Sequence, residues 1–379
     1  MTSRERVLKA LRHEGPDRTP FFEKLIKSPI ADEVLGRPHA AADWEYRMER
    51  LADADWAGLM EQEACDTIEL AEVLGFDLVC LYPSAPPAER PERLGPTTWR
   101  VGDNVQERLE SGWIRTRPVD PAAPSTPADP EGHLRCWLAT QYQPPAYTDD
   151  HFVVFRAARR IMAEKGLDLV IFAQAYTVGA ATVPPWLFEW FIRDRPTLAR
   201  YYERNALLGR DLGLRLRAEG ADIVALGGDL ACDHGPMISP ADYREFIMPA
   251  VRLQSRALHE VGAFTTNASD GNLWPILDDF LLGTEVDAYE EIDPIAGMDL
   301  ARLKARCGDR VCFIGNMDIR HLLTSGTPEQ VREATFRCLE AGRGNGGHIL
   351  MSSNCIHESV KLELFMAYVE AYHEYCGGR

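Results

Sequence analysis

Eight short runs of apolar and β-branched residues punctuate the chain, and longer stretches with helical spacing separate most of them. The runs are 19–23, 76–82, 167–174, 221–226, 263–266, 286–290, 311–315 and 348–352. Runs that stay apolar at consecutive positions suit strands buried on both faces, as in a parallel sheet covered by helices. Between them, 201–219 sets Leu207, Leu208, Leu212, Leu214 and Leu216 among Arg and Glu and stops at Gly220. Ser239-Pro240 and Thr327-Pro328 read as helix starts, with proline at the first helical position. Eight strands with helical crossovers predict an α/β fold, a (β/α)8 TIM barrel forming a single domain over 1–379. A doubly wound sheet is the runner-up.

The alternation breaks at 83–150, where Pro83, Pro86, Pro87, Pro118, Pro121, Pro124, Pro127 and Pro130 accumulate. Within it, Trp99-Arg-Val and Trp113-Ile-Arg-Thr flank a turn-like region, which predicts a β-hairpin insertion after the second strand. Such an insertion is either a lid over the barrel mouth or a plain surface excursion.

Charge and cysteine usage narrow the function. A net charge of -17 repels phosphate backbones and anionic lipid, so neither nucleic acid nor membrane is expected as a partner. No apolar run reaches the roughly 18 residues of a membrane span, and the N-terminus is amphipathic rather than signal-like. Nine scattered cysteines without CxxC spacing read as reduced thiols in a cytoplasmic protein. A small-molecule substrate is the expected partner, and a homodimer stays open.

In such a barrel the active site gathers at the C-terminal ends of the strands. That rule selects Asp229, Asp270 and His357 as catalytic candidates. It selects Glu23, Tyr82, Gln174, Tyr176, Asn272, Glu290, Asn316 and Asn354 as substrate-binding ones. Polar side chains at the ends of apolar strands need partners, because desolvating them is costly. Carboxylates there accept protons, stabilise positive charge or ligate a cation. No metal is required; should one bind, Glu23, Asp229, Asp270 and Glu290 would form an oxygen-rich site. HExxH, GxSxG, a P-loop and a correctly placed GxGxxG are all missing, which argues against those enzyme classes.

Several stretches carry a resemblance. The opening 3–20 (SRERVLKALRHEGPDRTP) resembles the N-terminal signature of the uroporphyrinogen decarboxylase superfamily. That superfamily also holds zinc- and corrinoid-dependent methyltransferases. GGDLA at 227–231, GPMISPADYREF at 235–246, SDGNLW at 269–274, IGNMD at 314–318 and GGHIL at 346–350 through Asn354 agree in the same order. The resemblance implies the same barrel.

Departures from the pattern predict a divergent member rather than an authentic haem-pathway enzyme. Where the decarboxylases carry arginines for tetrapyrrole carboxylates, this chain has FFEKLIK at 21–27, with no arginine. The superfamily methyltransferases resemble one another in a His-x-Cys motif after the fifth strand and a Cys after the eighth, all binding zinc. The matching positions here are Ala268, Asp270 and Asn354, with Cys355 one residue out of register. The leading expectation is therefore a decarboxylase-like lyase that acts on a small or medium organic acid without a cofactor. The alternative is a corrinoid-dependent methyltransferase with an atypical metal site, using zinc and a corrinoid protein partner. A ligand-binding barrel without catalysis is third.

Overall fold

The computed structural model describes residues 1–110, 112–120, 129–180, 183–344 and 346–377. Strand β1 (Leu78–Leu81) is followed by β2 (Glu92–Gly95), β3 (Thr98–Val101), β4 (Asn104–Arg108) and β5 (Ile114–Pro118). Next come β6 (Val170–Gln174), β7 (Ile223–Gly227) and a small hairpin of β8 (Ala231–Cys232) and β9 (Gly235–Pro236). The last four are β10 (Phe264–Ala268), β11 (Ala288–Glu290), β12 (Cys312–Ile314) and β13 (His348–Ile349). The order β1-β6-β7-β10-β11-β12-β13 makes one parallel sheet, with each neighbour the next apolar run in the chain.

The eighth place is filled by a strand reduced to a single bridging residue. Phe21 bridges Leu350 in parallel, and the Phe22 N–H donates to the Leu350 carbonyl at 3.1 Å. On the other side the Asp77 N–H donates to the Phe21 carbonyl at 2.8 Å, so the ring closes. The run is this short because Pro20 has no N–H to give, and the Phe21 N–H turns instead to the Asp77 carboxylate at 3.0 Å.

Alternation along the strands sorts the side chains into two cores. Leu78, Cys80, Val170, Phe172, Ile223 and Ala225 point into the barrel with Phe22, Ala288, Cys312, Ile314, Ile349 and Met351. Val7, Ala10 and Leu11 of the first helix, Ser3–Leu11, plug the N-terminal end of that interior. The opposite parity, with Val79, Leu81, Ile171, Ala173, Val224 and Leu226, packs outward against the helical ring. Among the described residues no helix is long and apolar enough to cross a membrane.

The insertion is larger than the single hairpin expected from sequence. β2 to β5 form a four-stranded antiparallel sheet, in which Trp99 is buried under the Arg93 guanidinium at 5.4 Å. Polar residues dominate β2, β4 and β5, which hides them from an apolar-run criterion. Arg93 pairs with Glu49 at 2.9 Å and Arg108 with Glu45, fastening the sheet to the helix Trp44–Ala52. Pro121, Pro124 and Pro127 lie outside the described residues.

Barrel closure depends on Asp77, which is fully buried. Its carboxylate accepts from Arg6 Nη1 at 2.6 Å, from Arg18 Nη1 at 2.8 Å and from the Phe21 N–H. Removing one partner of a buried charge pair strands the other charge. Asp77→Ala is expected to lower the unfolding free energy in urea by about 3–5 kcal/mol. A loss below about 1 kcal/mol, the scale of an exposed pair, would contradict this role.

Candidate active site

The inward parity of Phe22 continues to Lys24, two residues on, and this buries an ammonium at the top of the barrel. Lys24 Nζ donates to Glu291 Oε1 and to the Tyr176 hydroxyl at 3.3 Å, and lies 3.3 Å from Glu290 Oε2. The other oxygen of Glu290 accepts from Tyr176 at 2.8 Å and from Thr266 Oγ1 at 3.0 Å. Burial pushes the Glu290 carboxyl up, and Lys24 opposes that rise. Burial also works against charge on Lys24, but Glu290 and Glu291 more than offset it and raise its pKa. Neighbouring strand residues normally face opposite ways. Glu291 has φ +63°, a left-handed conformation that costs a non-glycine residue roughly 1–2 kcal/mol, and the resulting turn brings both glutamates to one ammonium.

Beside this cluster two loops present a pair of aspartates. Asp229 follows β7 through Gly227-Gly228. At Gly227 (φ +81°) a Cβ would lie 2.1 Å from Asn267 Oδ1, so only glycine fits there. Asp270 follows β10, and its backbone N–H donates to the Asp229 carboxylate. Ser269 Oγ accepts the Leu230 N–H at 2.9 Å and donates to the Asp270 carbonyl at 2.8 Å, stitching the two loops together. Asn354 Nδ2 donates to Asp270 Oδ2 at 2.7 Å.

Burial, followed by the charges of Glu291, Asp229 and Asp293, pushes the Asp270 carboxyl up to about 8. Burial and Glu291 raise Asp229 as well. At neutral pH the pair therefore holds a proton, carried by Asp270. Asp270 lines a recess of ≈ 380 Å³ together with Asp293, Arg320, Ser353, Asn354 and His357.

The other sequence candidates divide. Tyr82 and Tyr176 pack against the barrel interior, and Tyr82 lies beside Cys80, Glu290 and Cys355. Gln174 ends β6 half-buried, two residues beyond the inward Phe172. His357 lines the recess, and its Nδ1 accepts the Ser359 N–H at 3.2 Å.

Three candidates are committed elsewhere. Asn272 Oδ1 accepts the Trp274 N–H at 3.1 Å, which makes it a turn residue. Asn316 donates to the Met298 carbonyl at 3.2 Å and contacts the Cys338 thiol, tying loops together. Glu23 has the parity opposite to Lys24. Its carboxyl accepts from the Ser352 N–H at 2.8 Å and meets Ser352 Oγ at 2.5 Å, with Tyr368 alongside. Ser352 Oγ also meets the Asn354 carbonyl. One hydroxyl proton cannot serve two acceptors, so the arrangement is complete when Glu23 is itself protonated. This fits a carboxyl pushed by burial up to about 8.

Glu23 is thus a wall residue, and this breaks up the cation set Glu23, Asp229, Asp270 and Glu290. Among the described residues no three His, Cys, Asp or Glu side chains are arranged to hold a metal ion. The positions of the superfamily's zinc ligands do not fit zinc either. Ala268 has no donor atom, and Asn354 aims an N–H, not a lone pair, at Asp270. Burial raises the Cys355 thiol, which disfavours a thiolate.

The folded protein keeps the Asp270 proton to about pH 8, whereas the unfolded chain releases it near 3.9. Stability therefore falls as pH rises between those values. Asp270→Asn is expected to gain on the wild type as urea denaturation is moved from about pH 5 to about pH 8. A difference that stays constant across that window would contradict the assignment.

The family model described as uroporphyrinogen decarboxylase (URO-D) matches residues 153–375, more than half of the sequence. The uroporphyrinogen decarboxylase of Psychromonas ingrahamii is 33% identical over 152 residues, and that of Pseudoalteromonas atlantica 28% over 151. Each match covers 37% of this chain and 39% of the relative's own length. A solved methyltransferase from Methanosarcina mazei superposes over 99% of both chains with a TM-score of 0.66 at 19% identity, a likeness of fold. The chain belongs to the uroporphyrinogen decarboxylase family.

Proposed function

We propose that the barrel mouth works as a decarboxylase-like lyase on a small or medium organic acid, using acid–base chemistry without a cofactor. The observation that carries this reading is the aspartate pair, in which Asp270 keeps its proton beside Asp229 and itself lines an open recess. A carboxylic acid held neutral near pH 7 is a general acid, and a neighbouring carboxylate stabilises positive charge.

In the proposed step Asp270 protonates the substrate carbon that bears the carboxylate. Positive charge spreads into an electron-rich ring, where Asp229 stabilises it. The bond to the carboxylate then breaks, carbon dioxide leaves, and the bonding pair returns to the ring and neutralises it. Water restores the Asp270 proton, and Lys24 fixes Glu290 and Glu291 so that their charge stays in place. The relatives named as uroporphyrinogen decarboxylases support a lyase. An octacarboxylate is a poor fit, because Lys24 is already bound by two glutamates and Arg320 by Asp233 and Asp293.

Corrinoid-dependent methyl transfer is the competing reaction, and binding without turnover is the third reading. In a panel of heteroaromatic carboxylic acids, the wild type is expected to release carbon dioxide from at least one. Asp229→Asn is expected to lower that kcat by about 10²–10⁴-fold. Release that is insensitive to Asp229 would contradict the proposal. So would a silent panel together with methyl exchange on methylcobalamin, or with saturable binding alone.

A further inference from the structure

The barrel wall has a seam. At Phe21 the first segment is hydrogen-bonded to both neighbours, but beyond it the chain follows only the last strand. Ile26 bridges Ile356, the Lys27 N–H donates to the Ile356 carbonyl at 2.8 Å, and the Ile356 N–H donates to the Leu25 carbonyl at 2.9 Å. β1 pairs with β6 on its other edge. The gap between residues 23–26 and β1 holds a cavity of ≈ 340 Å³, within the size range of small-ligand sites.

The lining residues show where this cavity leads. Val79 has the outward parity of β1, whereas Cys80 and Tyr82 have the inward one, and all three line it together with Lys24. A space bounded by both faces of one strand runs through the sheet, from the helical layer to the charged cluster. Its walls are mainly apolar, with Leu25, Ile26, Leu70, Ala71, Phe76 and Val79.

The ionisable groups at its border are already satisfied, Glu23 by its own proton and its bond to Ser352. Arg47 pairs with Glu63 at 2.7 Å and donates to Ser84 Oγ at 3.3 Å, while Lys24 pairs with Glu290 and Glu291. His39 accepts the N–H groups of Ala41 and Ala42 on Nδ1, at 3.0 and 3.2 Å, which leaves a neutral imidazole with its proton on Nε2. A charged group placed here would find no free counter-charge, and desolvating it would be costly.

We propose that this seam cavity seats the non-reacting body of the substrate, an uncharged, mainly apolar ring or chain, with the reacting end directed past Lys24 and Tyr82 toward the aspartate pair. The proposal deepens the lyase reading and rests on it for the word substrate. As a binding site the cavity is tested separately.

The probe is 2-naphthol, neutral and fluorescent, titrated into the full-length protein. Naphthalene-2,6-disulfonate is the control, because whichever end enters carries a sulfonate into the cavity. The wild type is expected to bind 2-naphthol saturably and the disulfonate at least tenfold more weakly. Ala71→Leu, which fills the cavity from the helix Trp56–Leu74, is expected to weaken 2-naphthol at least tenfold without lowering Tm. If Ala71→Leu fails to fold, Thr67→Leu on the same wall is read instead and is expected to give the same loss.

Asp270→Asn is expected to bind 2-naphthol like the wild type, so a failure of the acid–base reading leaves this result standing. Absent saturation, equal affinity for the disulfonate, or undiminished binding in the folded cavity-filling variant would overturn the proposal.

Discussion

Lys24 Nζ lies between the carboxylates of Glu290 and Glu291, buried where water cannot screen them. Everything else at the barrel mouth depends on that placement. Asp229 and Asp293 add further acidic charge around the protonated Asp270, and the internal ammonium offsets part of the cost of holding carboxylates at this depth. The placement itself comes from the closure of the barrel. Asp77 and Leu350 grip the backbone at Phe21 and Phe22, alternation turns Phe22 inward, and two residues later the same alternation delivers Lys24. A fold-level constraint at the bottom of the barrel thus becomes an electrostatic one at the top.

The strands were legible because burial on both faces demands unbroken apolar runs, and residues such as 170–174 and 223–227 carry them without competition. Asp229 and Asp270 were legible too, as acids two residues beyond inward-facing strand ends. Glu23 sits one position from Lys24, which in a strand is the difference between the two faces, and it lines the seam cavity instead of the aspartate recess. Its neighbour Lys24 could have been found by counting from Phe22. Glu291 could not, since regular alternation sends it away from Glu290 and only a left-handed backbone brings it back. Asn272 and Asn316 share the composition of binding residues, yet their amides serve local turns and loop contacts that sequence spacing does not reveal. The insertion exceeded expectation because its strands are mostly exposed and polar.

Protons, more than fixed charges, organise the wall behind the site. Protonated Glu23, Ser352 and the Asn354 carbonyl form a chain of hydrogen bonds, and the Asn354 amide reaches Asp270. The outer layer of the barrel therefore holds the acid in position through three residues. At the positions matched to the superfamily's zinc ligands this chain carries Ala268, Asp270 and Asn354, of which the last two form a carboxyl–amide pair.

The proposed chemistry depends on the Asp270 proton. Carbon-13 NMR of the aspartate carboxyls, assigned by comparison with Asp270→Asn, follows it directly through a pH titration. A carboxyl resonance that titrates at about 8 and is missing from the variant is expected. Titration of that resonance near the ordinary aspartate value of about 3.9 would contradict it.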